Sequence, residues 1–100
     1  MKESRPWYLY VVRCKDETLY TGITVDVVQR VKDHNAGRGA AYTAARRPTT
    51  LVAVWAFEGQ GAALRAERAF KRLPRQRKLD IIANEKPFCN ANMLPTVAFQ

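Results

Sequence analysis

This chain has few cysteines, few acidic residues and no long apolar stretch. Its two cysteines, Cys14 and Cys89, lie 75 positions apart in 100 residues. Two such thiols make neither a disulfide scaffold nor a zinc framework, and Cys14 reads as a buried thiol in a strand. No stretch approaches the ~20 apolar residues that a membrane span needs. The apolar run that starts at Trp7 is short and broken by Arg13. No signal-peptide pattern is therefore present, and a cytoplasmic protein is the expectation. Internal repeats, low-complexity segments and a domain boundary are all missing. One domain over residues 1–100 is expected, with enough apolar residues, 47%, for a core without staples. Only nine Asp and Glu stand against 17 Lys and Arg, a formal net charge of +8. That balance favours a polyanionic partner, most simply nucleic acid. No membrane association and no obligate protein partner are indicated.

The remaining residues are organised around Trp7 to Thr24, WYLYVVRCKDETLYTGIT. Two runs rich in aromatic and β-branched residues flank a polar turn at Lys15-Asp16-Glu17, which predicts a β-hairpin. Each strand carries a central tyrosine, Tyr10 and Tyr20. A two-residue turn would put them on opposite faces of the sheet. An odd loop centred on Glu17 would pair Tyr10 with Thr24 and Cys14 with Tyr20, so that both hydroxyls share a face. The odd loop is the expectation. Gly22 would then leave a gap on that face for a ligand or another backbone.

Val25 to Asn35 reads as a helix, with Thr24 or Asp26 as N-cap. Val27, Arg30, Val31 and His34 fall on one side of it. Arg30 and His34 are i,i+4 neighbours at the margin of an apolar stripe. Either they are functional, or Arg30 snorkels and His34 caps the helix end. Gly37 or Gly39 supplies the stop. Residues 40–49 form a connection or one helical turn. Their Tyr42, Arg46 and Arg47, with Arg38 just before them, suit phosphate contact and base stacking, and equally suit a solvated loop. Thr50 to Glu58 is apolar on both alternating faces, with Leu51, Ala53, Trp55 and Phe57 on one. That pattern predicts a central strand.

Ala62 to Leu73 is a helix of strong formers, with Ala63, Ala66, Ala69, Phe70 and Leu73 buried. Its Lys71 and Arg72 join the basic surface. Glu67 falls at the edge of the apolar face, where a carboxylate needs a cation, a donor or a metal. A salt bridge to Arg30 or to Lys71 would satisfy it equally. Pro74 breaks the helix, and Arg75 to Asn84 begins another, with Leu79, Ile82 and Ala83 inward. An irregular tail is expected over 86–100. The predicted fold is α/β: a small three-stranded, mainly antiparallel sheet flanked by helices, in the order β-β-α-β-α-α.

Tyr8-Leu9-Tyr10 and Tyr20-Thr21-Gly22, followed by Arg30, His34 and Glu67 in successive helices, resemble the GIY-YIG nuclease family. The likeness runs from about Trp7 to Leu79 and is greatest to the small single-domain members. Tyr8 stands where the first motif has glycine. The resemblance implies a divalent-metal-dependent endonuclease acting on nucleic acid, most simply DNA, in repair or recombination. Relatives of that kind take target choice from extra domains, for which 100 residues leave no room. It implies Tyr10, Tyr20, Arg30, His34 and Glu67 as catalytic residues, with Tyr20 taking the proton of the attacking water and Tyr10 hydrogen-bonding nearby. Tyr42 resembles a further family tyrosine, and Asn84 is the nearest candidate for an asparagine that many members carry.

The chemistry is consistent with those residue types. Phosphodiester hydrolysis needs a nucleophile, charge neutralisation at the phosphate and help for the leaving oxygen. Glu67 offers one carboxylate to Mg²⁺ or Mn²⁺, and no second acidic residue stands near, which favours one metal over two. Arg30 would donate to a non-bridging phosphate oxygen, and His34 could assist proton transfer. A phenol with pKa near 10 is a poor base at neutral pH, so cations beside it (Arg30, the metal, Arg13) are expected to depress it.

Overall fold

The computed structural model describes residues 5–84. The expected tail over 86–100, with Cys89, lies outside them. Three strands and four helices follow in order: β1 (Trp7–Arg13), β2 (Leu19–Thr24), α1 (Val27–Asn35), α2 (Ala41–Ala44), β3 (Thr50–Phe57), α3 (Gln60–Lys71) and α4 (Arg75–Asn84). The predicted order holds, and the expected helical turn in 40–49 is α2.

All strand pairs are antiparallel, and the sheet order is β2-β1-β3. The central strand is thus β1, not β3. Apolar residues on both faces of β3 reflect helices covering both faces of the sheet, which does not require a neighbour at each edge. Leu9, Val11, Trp55 and Phe57 form one face with Ala62, Ala63, Ala66 and Phe70 of α3; Ile81 and Ile82 of α4 pack against them. The large side chains among these, Leu9, Val11, Phe57 and Phe70, are fully buried, each contributing about 1.5–3 kcal/mol by leaving water. Tyr10, Val12 and Val54 form the other face with Val27 of α1.

A β-bulge interrupts the pairing of β1 with β3. Val11 opposes Ala53, yet Val12 opposes Leu51, which leaves Val52 as the extra residue. Strict alternation predicts Leu51 on the Trp55 face. The bulge moves it to the Tyr10 face and sends Val52 to the other.

The hairpin loop is odd, as expected, but centred on Asp16. Tyr10 faces Gly22 and Val12 faces Tyr20, one pair away from the predicted register. Pairing continues to Cys14, whose N–H donates to the Thr18 carbonyl at 2.8 Å. Glu17 closes the turn in the left-handed region at φ 71°. Asp16 Oδ1 accepts from both the N–H and the hydroxyl of Thr18, which fixes this three-residue form. Because the error is an even number of residues, both tyrosines keep the shared face.

Helix boundaries move slightly. Asp26 is the N-cap of α1, its Oδ1 accepting from Gln29 N–H at 3.0 Å. Gly37, at φ +85°, ends it, with the paired Gly37-to-His34 and Arg38-to-Asp33 backbone bonds of a Schellman motif. In α3 the buried stripe centres on Ala63, Ala66 and Phe70. That turns Ala69 out, brings Ala62 in and leaves Glu67 at the opposite margin. In α4, Ala83 is exposed rather than inward, and Lys78 is half-buried with its ammonium 5.9 Å from the Phe70 ring centre.

Candidate active site

The site is assembled on the Tyr10 face of the sheet around one histidine. Val27 anchors α1 to that face, and two turns later the same side of the helix presents His34, which is fully buried. Its Nε2 lies 2.8 Å from the Tyr10 hydroxyl and its Nδ1 2.6 Å from Thr43 Oγ1. His34 therefore does not cap the helix end. Its ring is held between the central strand and α2.

Two glycines make room for this pair. Gly22 sits opposite Tyr10 in the ladder, and a Cβ there would lie 2.6 Å from the Tyr10 oxygen. The gap expected on that face is thus filled by the Tyr10 phenol itself. Gly39 does the same for the histidine, since a Cβ there would overlap the His34 ring.

Tyr20, half-buried, places its ring edge-on to His34 at 5.1 Å between centroids and 64°. Tyr42 stacks on Tyr20 at 6.1 Å and 27°. The Arg46 guanidinium lies 3.8 Å above the Tyr42 ring. Arg46 is itself tied down: Nε donates to Asp16 Oδ2 at 3.0 Å and Nη1 to the Tyr42 carbonyl at 3.0 Å. Tyr42 thus contacts both Arg46 and Tyr20 while remaining 39% exposed.

Charge converges on Tyr10. Burial pushes its pKa well above the usual phenol value, with the neighbouring Tyr20 acting in the same direction; Arg30 opposes the rise and Glu67 adds to it. The expected lowering by cations is outweighed for this tyrosine by the loss of water. Arg13 contributes nothing here: it lies at the end of β1 beside Glu17, at 3.9 Å. Burial also holds the His34 pKa below its ordinary value, reinforced by Arg30 and opposed by Asp33. The imidazole is neutral at pH 7. Arg30 is half-buried, and among the described residues no carboxylate pairs with it.

Glu67, on α3, acts on Tyr10 through its charge; its side chain is 17% exposed, and its Oε2 lies 3.2 Å from Lys71 Nζ. Of the two salt bridges open to it, the i+4 one has formed. Among the described residues no group of three or more His, Cys, Asp or Glu could hold a metal. One carboxylate fits a hard, largely hydrated divalent ion whose other ligands are water and substrate oxygens, and no softer metal.

The outer basic residues are solvent-facing, and one of them, Lys71, is the partner of Glu67. Arg38, Arg47, Lys71 and Arg72 are exposed. Arg38 pairs with Asp33 at 3.6 Å, and Arg47 Nε donates to the Ala44 carbonyl. The side chain of Asn84 lies outside the described part of the structure. Thr43, and the packing of Gly39 against His34, escaped the reading of the sequence. Thr43 stands nine positions from His34 on a four-residue helix, and no periodicity connects them.

Comparison with known proteins matches the family model described as "GIY-YIG catalytic domain" over residues 6–80. A UPF0213 protein of Streptococcus agalactiae is 49% identical over 81 residues, covering 81% of this chain and 92% of the relative. The solution structure of the UPF0213 protein BH0048 from Bacillus halodurans is similar with a TM-score of 0.54 at 42% identity, covering 80% of this chain and 85% of that one. The solution structure of EF2693 from E. faecalis has the same TM-score at 38% identity, covering 84% and 88%. With the antiparallel sheet, the two tyrosine motifs and the helix-borne Arg30, His34 and Glu67 in place, the chain belongs to the GIY-YIG family, a membership that points to nuclease activity.

Proposed function

We propose that this protein is a divalent-metal-dependent endonuclease that hydrolyses phosphodiester bonds in DNA, within a single domain. The observation that carries this reading is the contact of Tyr10 and Tyr20 with the neutral, buried His34, with the charges of Arg30 and Glu67 both acting on Tyr10. Arg30, without a carboxylate partner among the described residues, would donate to a non-bridging phosphate oxygen, where negative charge grows in the transition state. Of the two motif tyrosines, Tyr20 is the one partly open to solvent, so it would meet the attacking water and take its proton. Tyr10, 2% exposed, would hold the geometry from behind through His34. Glu67 is the residue that would hold the ion, Mg²⁺ or Mn²⁺. Such an ion, when bound, neutralises phosphate charge and stabilises the leaving oxygen. The exposed Arg38, Arg47, Lys71 and Arg72 would attract the strand in a salt-sensitive manner, with Tyr42 and Arg46 bordering the site.

A second reading, a basic nucleic-acid-binding module with weak cleavage, is favoured by one contact. Lys71 already neutralises Glu67 at 3.2 Å, so ion binding must displace it. The test is cleavage of single-stranded, duplex and branched DNA and RNA with Mg²⁺, Mn²⁺ or EDTA, with Glu67→Gln as control. Cleavage of DNA that requires both ion and Glu67 is expected. Salt-sensitive binding without cleavage, unchanged or tighter in Glu67→Gln, would leave the binding module.

A further inference from the structure

We propose that Thr43 is a positioning residue that holds His34 as its Nδ1–H tautomer, so that Nε2 accepts the Tyr10 proton in a hydrogen bond. The inference follows from counting donors and acceptors in a closed, buried chain. Tyr10 is 2% exposed, and both His34 and Thr43 are fully buried. Among the described residues, the hydrogen bond given to the Tyr10 oxygen is the one to His34 Nε2. The Tyr10 hydroxyl has one proton, and Nε2 is the acceptor within reach. If Nε2 carried a proton instead, the phenolic hydrogen would be buried with nowhere to go.

The other end of the chain requires the same direction. A neutral imidazole has one N–H, so an accepting Nε2 places it on Nδ1. Nδ1–H then donates to Thr43 Oγ1 at 2.6 Å. Thr43's own proton is committed to the Ala40 carbonyl at 3.2 Å, which can only accept. Every buried polar side-chain atom among the described residues has a partner, and this one arrangement satisfies the whole run from Tyr10 to Ala40. Gly39 fixes the ring from the side, because nothing larger fits against it.

The consequence lies at the Tyr10 oxygen. With its proton turned inward, that oxygen offers only lone pairs to the rest of the site. Tyr10 thereby becomes an acceptor for a donor that arrives with bound substrate. This last step rests on the nuclease reading; the tautomer does not.

The protein has one histidine, so its imidazole nitrogens can be read without assignment by long-range ¹H–¹⁵N NMR on the full chain. The expected wild-type pattern near neutral pH is a protonated Nδ1 and an unprotonated Nε2. Thr43→Ser should keep it, and Thr43→Val should move protonation toward Nε2. If cleavage is established, Thr43→Val should lower kcat by about tenfold or more with KM little changed, and Thr43→Ser should restore it. A wild-type imidazole protonated on Nε2, or nitrogen shifts unmoved in a folded Thr43→Val, would overturn the proposal. Should Thr43→Val fail to fold, the wild-type and Thr43→Ser spectra still decide it. The predicted tautomer without cleavage would sink the nuclease reading alone.

Discussion

The Tyr10 phenol lies across Gly22 so closely that a single added methyl would fall 2.6 Å from its oxygen and 2.8 Å from Cζ. Gly22→Ala should therefore push the phenol off His34. The ring is the far end of a side chain, but it is packed in the core and cannot retreat freely. The expected loss is about 1–3 kcal/mol in urea unfolding, as for other overpacked sites, and loss of any Tyr10-dependent activity. Gly39→Ala strikes the buried His34 ring and should behave alike. Gly61→Ala is the internal control: a Cβ there meets Arg65 only at 3.5 Å, so it should be neutral or stabilise by up to about 1 kcal/mol as a helix position. Equal losses at Gly22 and Gly61 would mean that crowding of Tyr10 is not the cause.

Lys71 would compete with an ion for the Glu67 oxygen that it holds at 3.2 Å. Lys71→Ala should lower the Mn²⁺ concentration that half-saturates cleavage, whereas Glu67→Gln should reduce metal-dependent cleavage on the order of 100-fold. The two are compared by metal titration at fixed substrate. An unchanged metal requirement in Lys71→Ala would show that the ion pair does not guard the site.

Acid should destabilise the fold through His34. Its folded pKa lies below the ordinary value, chiefly through burial, so the unfolded chain takes up the proton first as pH falls below about 6.5. Stability is present above that value and declines as pH drops toward the folded pKa. Tyr10 works at the other end of the scale. Its folded pKa is raised, so the unfolded chain loses the proton first, and stability declines as pH rises past about 10. Urea midpoints across pH should show both limbs, with the alkaline limb reduced in Tyr10→Phe. A flat acid limb would mean that His34 charges without leaving its pocket.

Much of the architecture was legible because periodicity reports it directly. The β-β-α-β-α-α order, the odd hairpin loop and the pairing of Arg30 with His34 on one helix face all come from local pattern. What was not legible depends on exact counts or on distant contacts. The register moved by one pair because Asp16 caps Thr18, a side-chain bond that alternation cannot weigh. Leu51 changed faces because of a one-residue bulge. Strand β3 was placed at the centre because an apolar strand reports covered faces, not paired edges. At the site, residue types were legible from motif likeness, while Thr43 and the packing of Gly39 against His34 were not. Their roles exist only once α2 folds back over His34.

The hairpin tip is an exposed turn, the sort of place where insertions are usually accepted. Here its groups are engaged from two sides. Lys15 N–H donates to the Arg46 carbonyl at 3.0 Å, the Asp16 carboxylate receives the Arg46 guanidinium, and Arg75 Nη2 donates to the Glu17 carbonyl at 2.9 Å. Lengthening the tip would slacken Arg46 on Tyr42 and, through it, the Tyr20 ring. The natural place to graft a tag or a target-recognition element is instead the β3–α3 junction. There Glu58 is exposed and the space around Gly59 is open, provided that glycine, at φ +99°, is itself kept.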